Sequence, residues 1–268
     1  MVAEGLIEII NKIHQGYCED LIPELPDESI DLLVTSPPYN VKLGDNKYNK
    51  NPYDIYQDNK DHHNFISWLT SIFSMLKPKM VSGGRVCINI GDGKNGVVPT
   101  HSDIIQFMTK DLKYLPKTTI IWDKKQIGNR TAWGSFKSPS NPSFPTPFEY
   151  ILVFCKDTPS KKGEKDNITV SKREFIENSL SLWKFSTETM MNSKYGHPAM
   201  FPVDLPYRLI QQLSYKGDVV LDIFSGMGTT CLAAAMSERQ WIGFELSKTY
   251  AENSRKRIQK FTDQRRIV

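Results

Sequence analysis

The stretch "VVLDIFSGMGTTCLAAA", Val219 to Ala235, decides the fold of this chain. It reads as strand, glycine-rich turn and helix. Val219 to Leu221 is a short apolar run, as in a parallel strand covered on both faces. Asp222 and Phe224 follow at its end. Gly226 and Gly228 let the backbone turn sharply and come close to a ligand. Thr229 and Thr230 open the helix, where free N–H groups and the helix dipole favour an anionic group. Glu245 then closes the next strand, in "WIGFEL", where folds of this class place a carboxylate against a ribose diol. A dinucleotide fingerprint, GxGxxG, needs a third glycine, and that place is Cys231. The turn can still cradle a carboxylate instead of a pyrophosphate. A plain strand–helix–strand connection is the alternative these residues leave open.

A second stretch, "IDLLVTSPPYNV" from Ile30, raises a sharper question. Ile30 to Val34 reads as another buried strand. Pro37 and Pro38 stop it, since neither has an N–H to give a ladder. Strand and prolines together make a rigid corner that presents Ser36, one or two free carbonyls and the Tyr39 ring. On these residues alone the corner could be no more than a stiff turn.

Around the two motifs the pattern is α/β. Residues 6–17 are expected to be a strand leading into a turn at Gly16, followed by a short helical stretch before Ile30. Residues 40–63 are polar with little apolar periodicity, which predicts a long loop that closes over a ligand. Phe65, Trp68, Leu69, Ile72, Phe73 and Leu76 have helical spacing, ended by Pro78. Strands follow in "GGRVCINIGD" and "TTIIWDK", with a helix around 101–113 between them. From Lys125 to Tyr195 the chain is rich in Pro, Ser and aromatics, has one strand, and includes a charged, partly mobile stretch, "DTPSKKGEKDNITVSKREF". The α/β pattern returns with a helix near 203–214 and ends in a basic C-terminal helix. The expected division is therefore 1–124, an inserted region at 125–195, and 196–268 completing the first domain.

Composition excludes several classes. The chain of 268 residues is 39% hydrophobic and 24% charged, a folded globular balance, and has no apolar run of membrane-spanning length. Acidic residues stand at its start where a signal peptide carries positive charge. Its four cysteines (Cys18, Cys87, Cys155, Cys231) are scattered without a CxxC pair. Neither a zinc site nor a disulfide framework is expected, and a reduced, cytoplasmic protein is. No metal is expected. The net charge of +4 permits a polyanionic partner without demanding one.

Read together and in this order, "TSPPY" and "DIFSGMGTT" resemble the β group of S-adenosylmethionine-dependent DNA amino-methyltransferases. The likeness spans most of the chain outside 125–195. "HPAMFPVDLPYRLI" at 197–210 resembles the family's segment leading into the cofactor strand. The resemblance implies a mostly parallel Rossmann-like methyltransferase sheet, helices on both faces, and target recognition by 125–195. It implies cofactor contacts from Phe201, Pro202, Asp222, Phe224, Gly226, Gly228, Thr229, Thr230 and Glu245. It assigns catalysis to Ser36, Pro37, Pro38 and Tyr39, acting on a base taken out of double-stranded DNA. DNA contacts are expected from Lys124, Lys125, Arg130, Trp133 and Lys137. A homodimer and a cognate restriction endonuclease are partners it allows.

One departure stands out. Where the family has Gly-Asp near the cofactor adenine, this chain reads Gly16-Tyr17-Cys18, which leaves backbone groups or Asp20 for that contact. Ser36 heading the motif, and "HPAMFP", resemble N4-cytosine enzymes more than N6-adenine ones. The adenine enzyme stays open as the alternative. A protein-glutamine methyltransferase fits less well, because it has the reverse motif order and an Asn before the prolines. A non-catalytic DNA- or cofactor-binding module is the other reading, against which the intact motifs argue.

Overall fold

Strands whose residues are apolar on both sides need cover on both faces, and this chain supplies it with two sets of helices. The computed structural model describes residues 4–40, 60–94, 96–125, 134–187 and 200–265. Their strands are β1 (Lys12–Gln15), β2 (Ile30–Thr35), β3 (Met80–Ile90), β4 (Leu115–Asp123), β5 (Phe148–Cys155), β6 (Leu182–Lys184), β7 (Val219–Asp222) and β8 (Gln240–Glu245). They form one sheet in the order β1-β8-β7-β2-β3-β5-β4-β6. Only the pairings of β5 with β3 and β4 are antiparallel, so the sheet is mostly parallel.

The helices are α1 (Cys18–Leu21), α2 (His62–Leu76), α3 (Thr100–Gln106), α4 (Lys172–Asn178), α5 (Asp204–Leu213), α6 (Thr229–Met236) and α7 (Lys248–Arg265). On one face Leu33, Val86, Ile88 and Leu221 pack with Phe65, Leu69, Ile72 and Phe73 of α2 and Ile104 of α3. On the other, Leu32, Val34, Cys87 and Val220 pack with Leu209 of α5, Ala233 and Ala234 of α6, and Ala251 and Ile258 of α7. Successive strand residues thus feed opposite cores, as the two-residue side-chain period requires.

This wiring places the site. From β2 the chain crosses through α2 to β3 on one side, whereas from β7 it crosses through α6 to β8 on the other. The strand order therefore reverses between β2 and β7, which are hydrogen-bonded neighbours through Leu32–Val220 and Leu33–Leu221. Open α/β sheets hold ligands in the crevice outside the carboxyl ends at such a point.

Two expectations are corrected. The strand within 6–17 is confined to Lys12–Gln15, because Leu6 turns the chain back by accepting the N–H groups of Ile9 and Ile10. The charged stretch after Asp157 is built into the fold. Lys161 lies 3.0 Å from Asp31 and 2.9 Å from Asp218, and Ser171 and Glu174 form a capping box that starts α4. Of the long polar loop, residues 41–59 lie outside the described residues, and so does its expected closure. Its two ends are joined by Asn40 Nδ2 donating to the Lys60 carbonyl at 2.8 Å, and Asp61 then caps α2.

Candidate active site

The ends of β2 and β7 are tied by a buried side-chain bond. Thr35 Oγ1 donates to Asp222 Oδ1 at 2.7 Å, so the residue before Ser36 grips the residue that opens the glycine turn. Thr230, the second residue of α6, donates to the Val34 carbonyl at 3.3 Å. Asp222 is 1% exposed, and this burial pushes its carboxyl up to about 6, against the lowering effect of Thr35, Thr230 and the Phe224 N–H. Its carboxylate is therefore a clamp between the two motifs, facing their junction.

In the glycine turn both Gly226 (φ 49°) and Gly228 (φ 70°) are left-handed. A side chain at Gly228 would run into Ser254 of α7. Arg257 of α7 donates to the Met227 carbonyl at 3.1 Å and to Thr229 Oγ1 at 3.0 Å, which braces the turn from outside. The glycine missing at Cys231 has its counterpart across the interface. Gly243 of β8 lies so close to α6 that a Cβ there would be 2.9 Å from Cys231 Sγ and 2.5 Å from Ile13 Cδ1. The close helix–strand approach is kept, with the glycine on the strand instead of the helix.

Glu245 ends β8 with Oε2 accepting from Gly226 N at 2.7 Å and Oε1 accepting from Ser247 N at 2.8 Å. Burial pushes its carboxyl up to about 6. Phe224 is half-buried, and its ring centroid is 5.7 Å from that of Trp68. Trp68 donates its indole N–H to Glu19 Oε1 at 2.6 Å. Tyr17, in the family's acid position, is 56% exposed, and Asp20 is exposed. The acid of this turn that faces the aromatic pair is thus Glu19, two places from the expected position. Phe201 is half-buried and Pro202 buried at the start of α5, while Met200 packs with Met227 of the glycine turn.

Beside this crevice the Ser36–Tyr39 corner carries its own polar network. Ser36 Oγ donates toward Tyr39 Oη (3.1 Å) and the Asn89 carbonyl (3.2 Å). Tyr39 Oη donates to Glu149 Oε2 at 2.8 Å. Asn89 Nδ2 donates to both, at 2.7 and 2.8 Å. Lys124 Nζ, expected to face DNA, pairs with Glu149 Oε1 at 2.9 Å. Lys125 and Lys137 are exposed on the segments flanking 126–133. Arg130 and Trp133 lie outside the described residues.

The sequence reading missed Asn89, Glu149, Gly243 and Glu19. A signal existed for Glu149, the one acid in the apolar run "FEYILVFC". Asn89 and Gly243 sit in strands whose neighbours only the tertiary fold reveals.

A nucleoside carrying a sulfonium amino acid suits this crevice. A strand-end carboxylate, two left-handed glycines without side chains, the N-terminus of a helix and an aromatic pair answer its diol, its amino-acid part and its base. The comparisons agree. The DNA methylase family model N6_N4_Mtase matches residues 30–256. The type II methyltransferase M.MjaVI of Methanocaldococcus jannaschii is 42% identical over 65% of this chain and 86% of its own. M.MjaI of the same organism is 31% identical over 84% of each chain. TTHA0409 of Thermus thermophilus, solved in complex with S-adenosyl-L-methionine, superposes with a TM-score of 0.72 at 28% identity, over 93% of this chain and 95% of its own. This chain therefore belongs to the N6/N4 family of DNA methylases, as a DNA amino-methyltransferase whose cofactor is S-adenosyl-L-methionine.

Proposed function

We propose that this enzyme methylates N4 of cytosine in double-stranded DNA. The observation that carries the reading is Ser36 at the head of the SPPY corner. The family resemblance associates Ser with cytosine enzymes and Asp with adenine ones, and Ser36 Oγ sends its proton toward Asn89 and Tyr39. Its lone pairs then serve the N–H of an incoming amine. An exocyclic amine is a poor nucleophile because its lone pair is conjugated with the ring. Accepting its two N–H bonds at Ser36 Oγ and the Pro37 carbonyl favours a tetrahedral nitrogen and frees that lone pair. Pro37 and Pro38 hold both acceptors still, so alignment needs no reorganisation. Tyr39 supplies a flat face for a base taken out of the stack. When bound, the cofactor supplies an electrophilic methyl group.

The four cysteines are buried, and burial raises the thiols of Cys18, Cys87 and Cys231, which suits packing and not ring attack. Phosphate contacts fall to Lys125 and Lys137, with Arg130 and Trp133 completing the proposed recognition region at 125–195. A cytoplasmic location, a homodimer and a partner endonuclease extend the same reading. Among the described residues no helix is long and apolar enough to cross a membrane.

Mass spectrometry of nucleosides from treated DNA tests the proposal, and N4-methylcytosine is the expected product. N6-methyladenine would replace the cytosine assignment by the adenine one. 5-Methylcytosine would overturn the direct attack of an amine.

A further inference from the structure

Donor and acceptor capacities fix the direction of the hydrogen bonds that link Ser36, Tyr39, Asn89 and Glu149. Glu149 Oε2 is 2.8 Å from Tyr39 Oη and 2.8 Å from Asn89 Nδ2. A carboxylate paired with the Lys124 ammonium only accepts. The single Tyr39 hydroxyl proton therefore goes to Glu149, and Asn89 must turn its amide nitrogen toward both. That nitrogen also donates to Tyr39 Oη at 2.7 Å. Toward Ser36, Tyr39 can then only accept, as can the Asn89 carbonyl. Whichever of the two it meets, the Ser36 proton points into the network, and the remaining lone pairs of Oγ are left for an N–H donor. The Tyr39 ring is held as well, because a Cβ at Gly91 would stand 3.2 Å from its Cε2.

We propose that Glu149 is a positioning residue for methyl transfer. Through Tyr39 and Asn89 it makes Ser36 Oγ an acceptor and fixes the plane of the Tyr39 ring, matching the site to a reacting group that donates N–H. The proposal rests on the reading of Ser36–Tyr39 as the amine site. Glu149→Gln keeps the size and breaks the polarity. With its oxygen toward Tyr39 and Asn89, the new amide sets NH₂ against the Lys124 ammonium. Turned the other way, it forces Tyr39 to reverse its hydroxyl. Lys124→Met removes the first conflict and should restore the native polarity.

The test uses the full chain in single-turnover methylation of unmethylated duplex DNA with labelled cofactor, alongside calorimetry for cofactor binding and steady-state KM for DNA. Glu149→Gln is expected to slow methyl transfer about 30-fold, the scale of a sub-ångström misalignment, with cofactor affinity and KM within about threefold. Adding Lys124→Met should recover at least about fivefold of that rate, and Tyr39→Phe combined with Glu149→Gln should lose no more than the worse single variant. A Glu149→Gln rate within about twofold of the native enzyme, strictly additive losses, or no recovery with Lys124→Met would overturn the proposal. So would a Glu149→Gln protein that no longer binds cofactor, which would assign Glu149 to folding. Ser36→Ala separates the two readings. If it retains the full rate, the amine site itself is wrong. If it is impaired while Glu149→Gln is not, only the role of Glu149 falls.

Discussion

Thr35→Val probes the bond that couples the two motifs. The substitution is nearly isosteric, and it removes one of the donors to Asp222 in a place where Thr35 is 0% and Asp222 1% exposed. A hydrogen bond to a charged group contributes about 1.5–3 kcal/mol. At roughly 2–4 °C per kcal/mol for a domain of this size, the melting temperature should fall by about 3–12 °C. The pH dependence gives a sharper check. Burial raises the Asp222 carboxyl from 3.8 to about 6. A folded value above the unfolded one means the native state holds an extra proton between these limits. Asp222 therefore favours folding fully below the lower limit, and that contribution is lost as pH rises through about 6. The Thr35 donor favours the charged form, so its removal raises the folded value further and extends the falling limb upward. The destabilisation by Thr35→Val must then be larger at about pH 8 than at about pH 5. Differential scanning calorimetry of both proteins at the two values measures this, with Asp222→Asn as the control that flattens the dependence. An equal loss at both, or no loss, would refute the clamp.

The remaining predictions concern the cofactor side. Gly243→Ala should cost about 1–3 kcal/mol by overpacking and weaken cofactor binding, since its methyl would also lie 3.1 Å from Ser225 Cβ beside the glycine turn. Ile13→Val removes the carbon in closest conflict, so denaturant titration should show the double variant more stable than the sum of the single effects; simple additivity would contradict this packing. Because ribose hydroxyls would favour the charged form of Glu245, raised to about 6, cofactor affinity should increase as pH rises through that value. Calorimetry of Glu245→Gln should find binding about tenfold weaker and the pH dependence gone, and an unchanged profile would move the ribose contact elsewhere.

The two motifs were legible in the sequence because each is a local rule. Apolar runs of strand length, glycines where φ turns positive and prolines that end a ladder all act on near neighbours in the chain. Their order along the chain was enough to identify the family and, with it, the cofactor. What the sequence could not determine is which strands lie side by side. Thr35 meets Asp222, Gly243 takes the place of a missing glycine opposite Cys231, and Glu149 reaches Tyr39, each across a long separation in the chain. The charged stretch around Lys161 read as mobile for the same reason, since Asp31 of β2 and Asp218 just before β7 come to it from neighbouring strands that lie far apart in the chain. A carboxylate in an apolar strand looks like an exception until the fold brings it the Tyr39 hydroxyl from the corner after β2, the Asn89 amide from β3 and the Lys124 ammonium from the end of β4. Local chemistry thus set the elements and their motifs, and the sheet order alone decided which polar groups would be buried together.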